Sequence, residues 1–101
     1  MGLYYANGYA GEVDHATAIK WYEKAADVFR YAQLQLAVLH AAGKGTLQNY
    51  VTAHAWANIA ARKGYSAAEK IRDALAAKMS ASQIAAAQEK AAALINELKI
   101  E

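Results

Sequence analysis

The stretch Ala18-Ile19-Lys20-Trp21-Tyr22-Glu23-Lys24-Ala25-Ala26 returns 35 positions later as Ala53-His54-Ala55-Trp56-Ala57-Asn58-Ile59-Ala60-Ala61. Trp21 falls on Trp56, Ala18 on Ala53, and the pair Ala25-Ala26 on Ala60-Ala61. Working outward under the same shift, Gly8 falls on Gly43, Thr17 on Thr52, Ala32 on Ala67 and Ala6 on Ala41. A fixed period of this size marks an array of helical repeats. Such arrays are stacked modules, and their usual work is holding a partner rather than doing chemistry.

Composition agrees with an all-α chain. The 101 residues suffice for one domain with a modest core. Hydrophobic residues make up 56%, but much of that is alanine, the best helix former and a residue that lets helices approach closely. Proline and cysteine are absent, so neither disulfides nor thiol chemistry enter. No sustained alternation of branched and polar residues signals a strand. The net charge is only +2 with both signs interspersed, which argues against nucleic acid as a partner. No apolar run approaches the roughly 18 residues of a membrane span. Without a basic, apolar leader, the chain as given reads as cytoplasmic, or as a piece cut from something larger.

Punctuation along the chain places the helices. Residues 2–8 read as a helix end stopped by Gly8. Asp14 and Asn49 are caps for helices expected over about 15–28 and 50–63, ahead of Gly64. Between them a helix over about 30–42 stops at Gly43, and another over about 66–78 opens a third unit. Ser80, with Gln83 three residues on, forms a capping box for a last helix, whose apolar positions Ile84, Ala87, Ala91, Leu94, Ile95 and Leu98 keep helical spacing. That helix fits a terminal cap.

The residues so far resemble the Sel-one-like repeat family, a relative of the tetratricopeptide repeats. Tyr5, Gly8, Asp14, Ala18, Trp21-Tyr22, Ala25-Ala26 and Ala32 carry the likeness in the first unit. Ala32, Leu36, Gly43, Gly45, Asn49, Ala53, Trp56, Ala60-Ala61, Gly64 and Ala67 carry it in the second. The resemblance covers about residues 2–75 and implies an α-solenoid of antiparallel helix pairs. Its parts would be an N-terminally truncated repeat over 1–31, a full repeat over 32–66, a degenerate third helix over 67–79 and a capping helix over 80–99. It implies protein–protein interaction, as a scaffold or adaptor often found in bacterial signalling or envelope processes. Some members act as hydrolases on cell-wall-type substrates.

Several positions depart from the family pattern. Ala10 and Gly11 stand where it has Gly and Val, so the first loop is expected to be rearranged. Phe29 replaces the glycine that ends the helix, while Gly64 keeps it. A side chain in a left-handed turn costs about 1 kcal/mol, so either a different turn or a longer helix is expected at Phe29. Ala37 and His40 replace a glycine and a tyrosine of the helix contact, and Arg72 and Leu75 mark the third unit as degenerate.

Candidate chemistry is thin. Glu12, Asp14 and His15 include the types of a general acid–base pair, but capping explains Asp14. His15, His40 and His54 lack ligand spacing, so no metal or other cofactor is expected. Ser66, Ser80 and Ser82 each sit near a helix start, and no nucleophile–base pair is readable, so the chain is expected not to be an enzyme. Trp21 and Trp56, recurring with the period, are expected in the core.

One pattern points to a partner. On helix 30–42, Tyr31, Leu34 and Val38 lie opposite the family's buried positions. Leu3 is the first-unit equivalent of Val38, while Glu69 and Asp73 take the places of Leu34 and Val38 in the third. If these helices line a concave surface, it is apolar at one end and acidic at the other. The expected partner-binding residues are therefore Leu3, Tyr31, Leu34, Gln35, Val38, Glu69 and Asp73. The alternative is that curvature buries the stripe against neighbouring helices. Two rival functions stand beside this one: self-assembly into a homodimer through the open first repeat, and, as the family resemblance implies, a hydrolase acting on cell-envelope substrates, for which no nucleophile–base pair is readable.

Overall fold

The computed structural model describes residues 14–62 and 64–100, all of them helix or connection, with no strand among them. The expected end of a first helix at Gly8, the loop at Ala10-Gly11, and the roles of Leu3 and Glu12 lie outside the described residues. Five helices run in order: α1 (His15–Ala25), α2 (Arg30–Ala42), α3 (Tyr50–Ala61), α4 (Ser66–Ala76) and α5 (Ala81–Leu98).

Side-chain caps start three of them. Asp14 Oδ1 accepts from the Thr17 backbone N–H at 3.0 Å and Oδ2 from its hydroxyl at 2.6 Å. Those two bonds, the hydroxyl's first, hold the carboxyl below its ordinary range. Asn49 accepts from the Thr52 N–H at 3.1 Å. At α5 the capping box is complete: Ser80 Oγ accepts from the Gln83 N–H at 3.1 Å, and Gln83 Oε1 accepts from the Ser80 N–H at 2.8 Å.

The missing glycine at position 29 is resolved by a different turn. α1 ends at Ala25, three residues short of the expected end, and the Phe29 N–H donates to the Ala25 carbonyl at 2.9 Å. Phe29 itself is extended, with φ −113° and ψ 114°, and so avoids the left-handed region. One period later Gly64 sits at φ +82°. Two related corners thus use different backbones, each matched to its residue.

α3 is the central element, packing on α2, α4 and α5, while α1 packs on α2 and α2 also touches α4. Alanine makes this possible. Ala53, Ala55 and Ala57 are fully buried within α3, as are Ala37 on α2 and Ala18 on α1, so the axes approach with little side chain between them. Larger groups fill what remains: Leu36, Leu39, Ile59 and Trp56 join one cluster. Leu94, Ile95, Leu98 and Ile100 at the end of α5 pack against the same cluster. Leu98 and Ile100 also face residues 27–31 across a groove. The helix ends with Lys99 at φ 55° and the Ile100 N–H donating to the Ile95 carbonyl at 3.0 Å, a Schellman closure that seats Ile100 on the core.

The two periodic tryptophans part company. Trp56 is 5% exposed, as expected, but Trp21 is 44% exposed with the Lys24 ammonium 5.3 Å from its ring centre. The difference follows from position in the stack. α3 has three helices against it, whereas α2 is the main described helix against α1.

Buried glutamine and a close glycine tie the connections down. Gln33 is 4% exposed and its Nε2 donates to the Ala26 carbonyl at 2.6 Å, satisfying a group orphaned at the end of α1. Gln48 Nε2 donates to the Ala41 carbonyl at 2.9 Å at the end of α2. In the α2–α3 loop, Gly45 presses on α1: a Cβ there would lie 2.5 Å from the His15 carbonyl carbon.

Candidate docking face

The stripe read on α2 is split by the packing. Tyr31 and Val38 are 44% and 38% exposed, with the half-buried Gln35 on the same side. Leu34 corrects the expectation of an exposed residue, being only 7% exposed. It packs with Ala60, Ala61 and Ala68 in a second small cluster that Tyr65, Ala67 and Ile71 flank. The reason is angular. At 100° per residue, Leu34 lies 60° to one side of Tyr31, whereas Val38 lies only about 20° from it. That offset is enough to turn Leu34 into the seam with α3 and α4. The alternative weighed for the stripe, burial by neighbouring helices, therefore holds for Leu34 and not for Tyr31 or Val38.

The acidic half is also more modest than its sequence. Glu69 is half-buried and Asp73 exposed on α4, alongside α2. Asp73 is paired with Arg72 at 3.1 Å, and its side chain is 71% exposed, so this pair contributes little to stability and partly neutralises the acidic end. Arg30 lies over the Tyr65 ring, 4.7 Å from its centre, and so joins the first turns of α2 and α4.

Tyr31 also touches a second feature. Its ring meets Tyr22 edge to face, with centroids 6.5 Å apart and planes at 72°. Tyr22 is 5% exposed and its hydroxyl has no hydrogen-bond partner among the described residues, and burial pushes that hydroxyl's pKa up, with Tyr31 adding to the effect. On the other side, Tyr31 lines a groove of about 730 Å³ with Val28, Phe29, Ile59, Leu98 and Ile100 among its walls. Val28 and Phe29 are 71% and 61% exposed. This groove has no counterpart in the expected site. It depends on the tail of α5 reaching back to the α1–α2 corner, and no spacing in the sequence signals that.

Among the described residues no three His, Asp or Glu side chains come together to hold a metal ion. Asp14 is occupied as a cap. His40 is half-buried on α2, its pKa lowered by burial and then by Lys90. His54 is 4% exposed on α3, its pKa lowered by burial first and then by Arg72, against an opposing pull from Asp73. Among the described residues no helix is long and apolar enough to cross a membrane.

Comparison with known proteins gives a consistent result. The family model described as Sel1 repeat matches the chain twice, over residues 1–27 and 30–65. Neither the curated proteins nor the solved structures searched gave a match.

Proposed function

Because the chain belongs to the Sel1 repeat family, helical repeats that generally mediate protein–protein interaction, we propose that it is an adaptor or scaffold that docks a peptide or helix along α2 and α4. The observation that carries this reading is the pair Tyr31 and Val38. Two large apolar side chains stay exposed on one side of a helix that elsewhere buries Ala32, Gln33, Leu34, Leu36, Ala37 and Leu39. Apolar surface left uncovered in this way is a contact available to a partner. Tyr31 and Val38 would supply apolar contact, Gln35 a hydrogen-bonding group, and Glu69 and Asp73 a preference for a partner with basic residues. Leu34 supports the ridge from beneath.

Panning a phage-displayed random peptide library on the purified chain tests the proposal. Enriched peptides should combine apolar residues with Lys or Arg, and should lose binding to a Tyr31→Glu/Val38→Glu double variant. Equal binding to that variant would place the contact elsewhere and sink the reading. Light scattering coupled to size exclusion, run on both chains, identifies the rival. A wild-type dimer that the double variant dissolves would mean that a second copy occupies this face.

A further inference from the structure

His54 occupies a place where the repeat's own logic calls for an aliphatic residue. Its equivalent one period earlier is Ile19, and both are buried, at 4% and 7% exposure. Ile19 belongs to the main apolar cluster. His54 replaces it with an imidazole whose Nδ1 is buried without a hydrogen-bond partner among the described residues. Seven residues on, and so about 20° around α3 from His54, Ala61 packs with Ala68 of α4, which places His54 on the side of α3 that meets α4; the charged groups acting on it, Arg72 and Asp73, both belong to α4. No titratable group of α2 or α5, the other helices packed on α3, is among the causes; Lys90 of α5 acts instead on His40 of α2.

We infer that the seam between α3 and α4 is an acid-sensitive latch, in which a proton on His54 releases α4 from α3. A neutral imidazole is tolerable in this seam because one unpaired ring nitrogen costs only the loss of a hydrogen bond. Imidazolium is different: both nitrogens must donate, and a buried charge without a partner is far more costly than a buried dipole. Arg72 repels it. Asp73 attracts it, but that carboxylate is already engaged by the Arg72 guanidinium at 3.1 Å and faces water. Opening the seam lets the ring reach solvent and take the proton.

The direction of the pH effect follows. The closed seam holds the native pKa of His54 below the ordinary histidine value of 6.5. The opened state therefore binds more protons, so stability is complete above 6.5 and falls as the pH drops from there through the lower native value. Within that window the opening constant rises up to about tenfold per pH unit. Ile19, at the equivalent place on α1, carries no such sensitivity. The latch is independent of the docking reading, since it opens with no partner present.

The test combines two measurements on the whole chain between about pH 7.5 and about pH 5. NMR titration of the histidine Cε1–H signals should show His54 taking its proton below the ordinary histidine range. Hydrogen exchange, corrected for its intrinsic pH dependence, should show α4 amides losing protection over the same pH interval ahead of the rest of the chain. The His54→Ile variant, which restores the repeat's own residue while leaving His40 in place, should flatten that loss. An ordinary titration for His54 would overturn the proposal, as would parallel loss of α4 protection in wild type and variant. If His54→Ile does not fold, the titration and exchange of the wild-type chain still decide.

Discussion

Gly45→Ala and Gly64→Ala separate two reasons for a glycine that look alike in the backbone. Both residues are left-handed, with φ +79° and +82°. On that ground alone each alanine costs about 1 kcal/mol. Their surroundings differ completely. At Gly64 an added Cβ meets nothing within 4 Å. At Gly45 it would lie 2.5 Å from the His15 carbonyl carbon, 2.6 Å from the Ala16 nitrogen and 2.7 Å from the His15 Cβ. Those are backbone atoms and a Cβ in the first turn of α1, and none can swing aside as a side-chain tip would. Either the loop or α1 has to move, which adds about 1–3 kcal/mol by analogy with overpacked cores. The expected losses are therefore about 2–4 kcal/mol for Gly45→Ala and about 1 kcal/mol for Gly64→Ala. Urea denaturation followed by far-UV circular dichroism measures both. Equal losses would mean that the α2–α3 loop yields freely, and would refute the claim that it is pressed against α1.

Three further outcomes are expected. Trp56→Ala should lose about 3–5 kcal/mol and Trp21→Ala less than half of that, because only the first empties a filled space; similar losses in the same denaturation assay would contradict the burial described here. Gln33→Ala should cost about 1–3 kcal/mol by stranding the Ala26 carbonyl, whereas a neutral result would mean water replaces the amide. Lys99→Gly should raise stability by about 0.5 kcal/mol, since relief of left-handed strain outweighs the extra freedom of the unfolded chain; a lower thermal midpoint would reverse that balance.

The helices were legible because their signals are local. Asp14, Asn49 and Ser80 cap where their side chains predict, and Gly43 closes α2. Boundaries drifted where no such residue speaks: α1 stops at Ala25 because residues 26–28 turn without a glycine. Burial was harder to read, because a 35-residue period repeats residue types and not neighbours. Trp21 and Trp56 hold equivalent places, yet among the described helices three pack on the one that carries Trp56 and chiefly one on the one that carries Trp21. Leu34 shows the same limit at finer scale, since 60° around a helix separates seam from surface. Two signals were present and unused. Gln33 shares a helix face with Ala37 and His40, so a buried amide was readable there. His54 breaks a position that Ile19 holds, which marks it as a core substitution. The groove at the α1–α2 corner had no signal, being made by parts distant in the chain.

The reach of α5 back to that corner fixes how many helices fit between the two. In an open-ended stack, another unit of 35 residues is spliced in at little cost, because each module answers only to the next. Here Leu98 and Ile100 lie across a groove from residues 27–31. A unit inserted after Ala61 would move the tail about 10 Å or more from its seat, the spacing of packed helices. The seat of Leu98 and Ile100 thus works as a ruler for the stretch between it and the α1–α2 corner, and a unit gained or lost within that stretch would leave these two side chains with nothing to rest on.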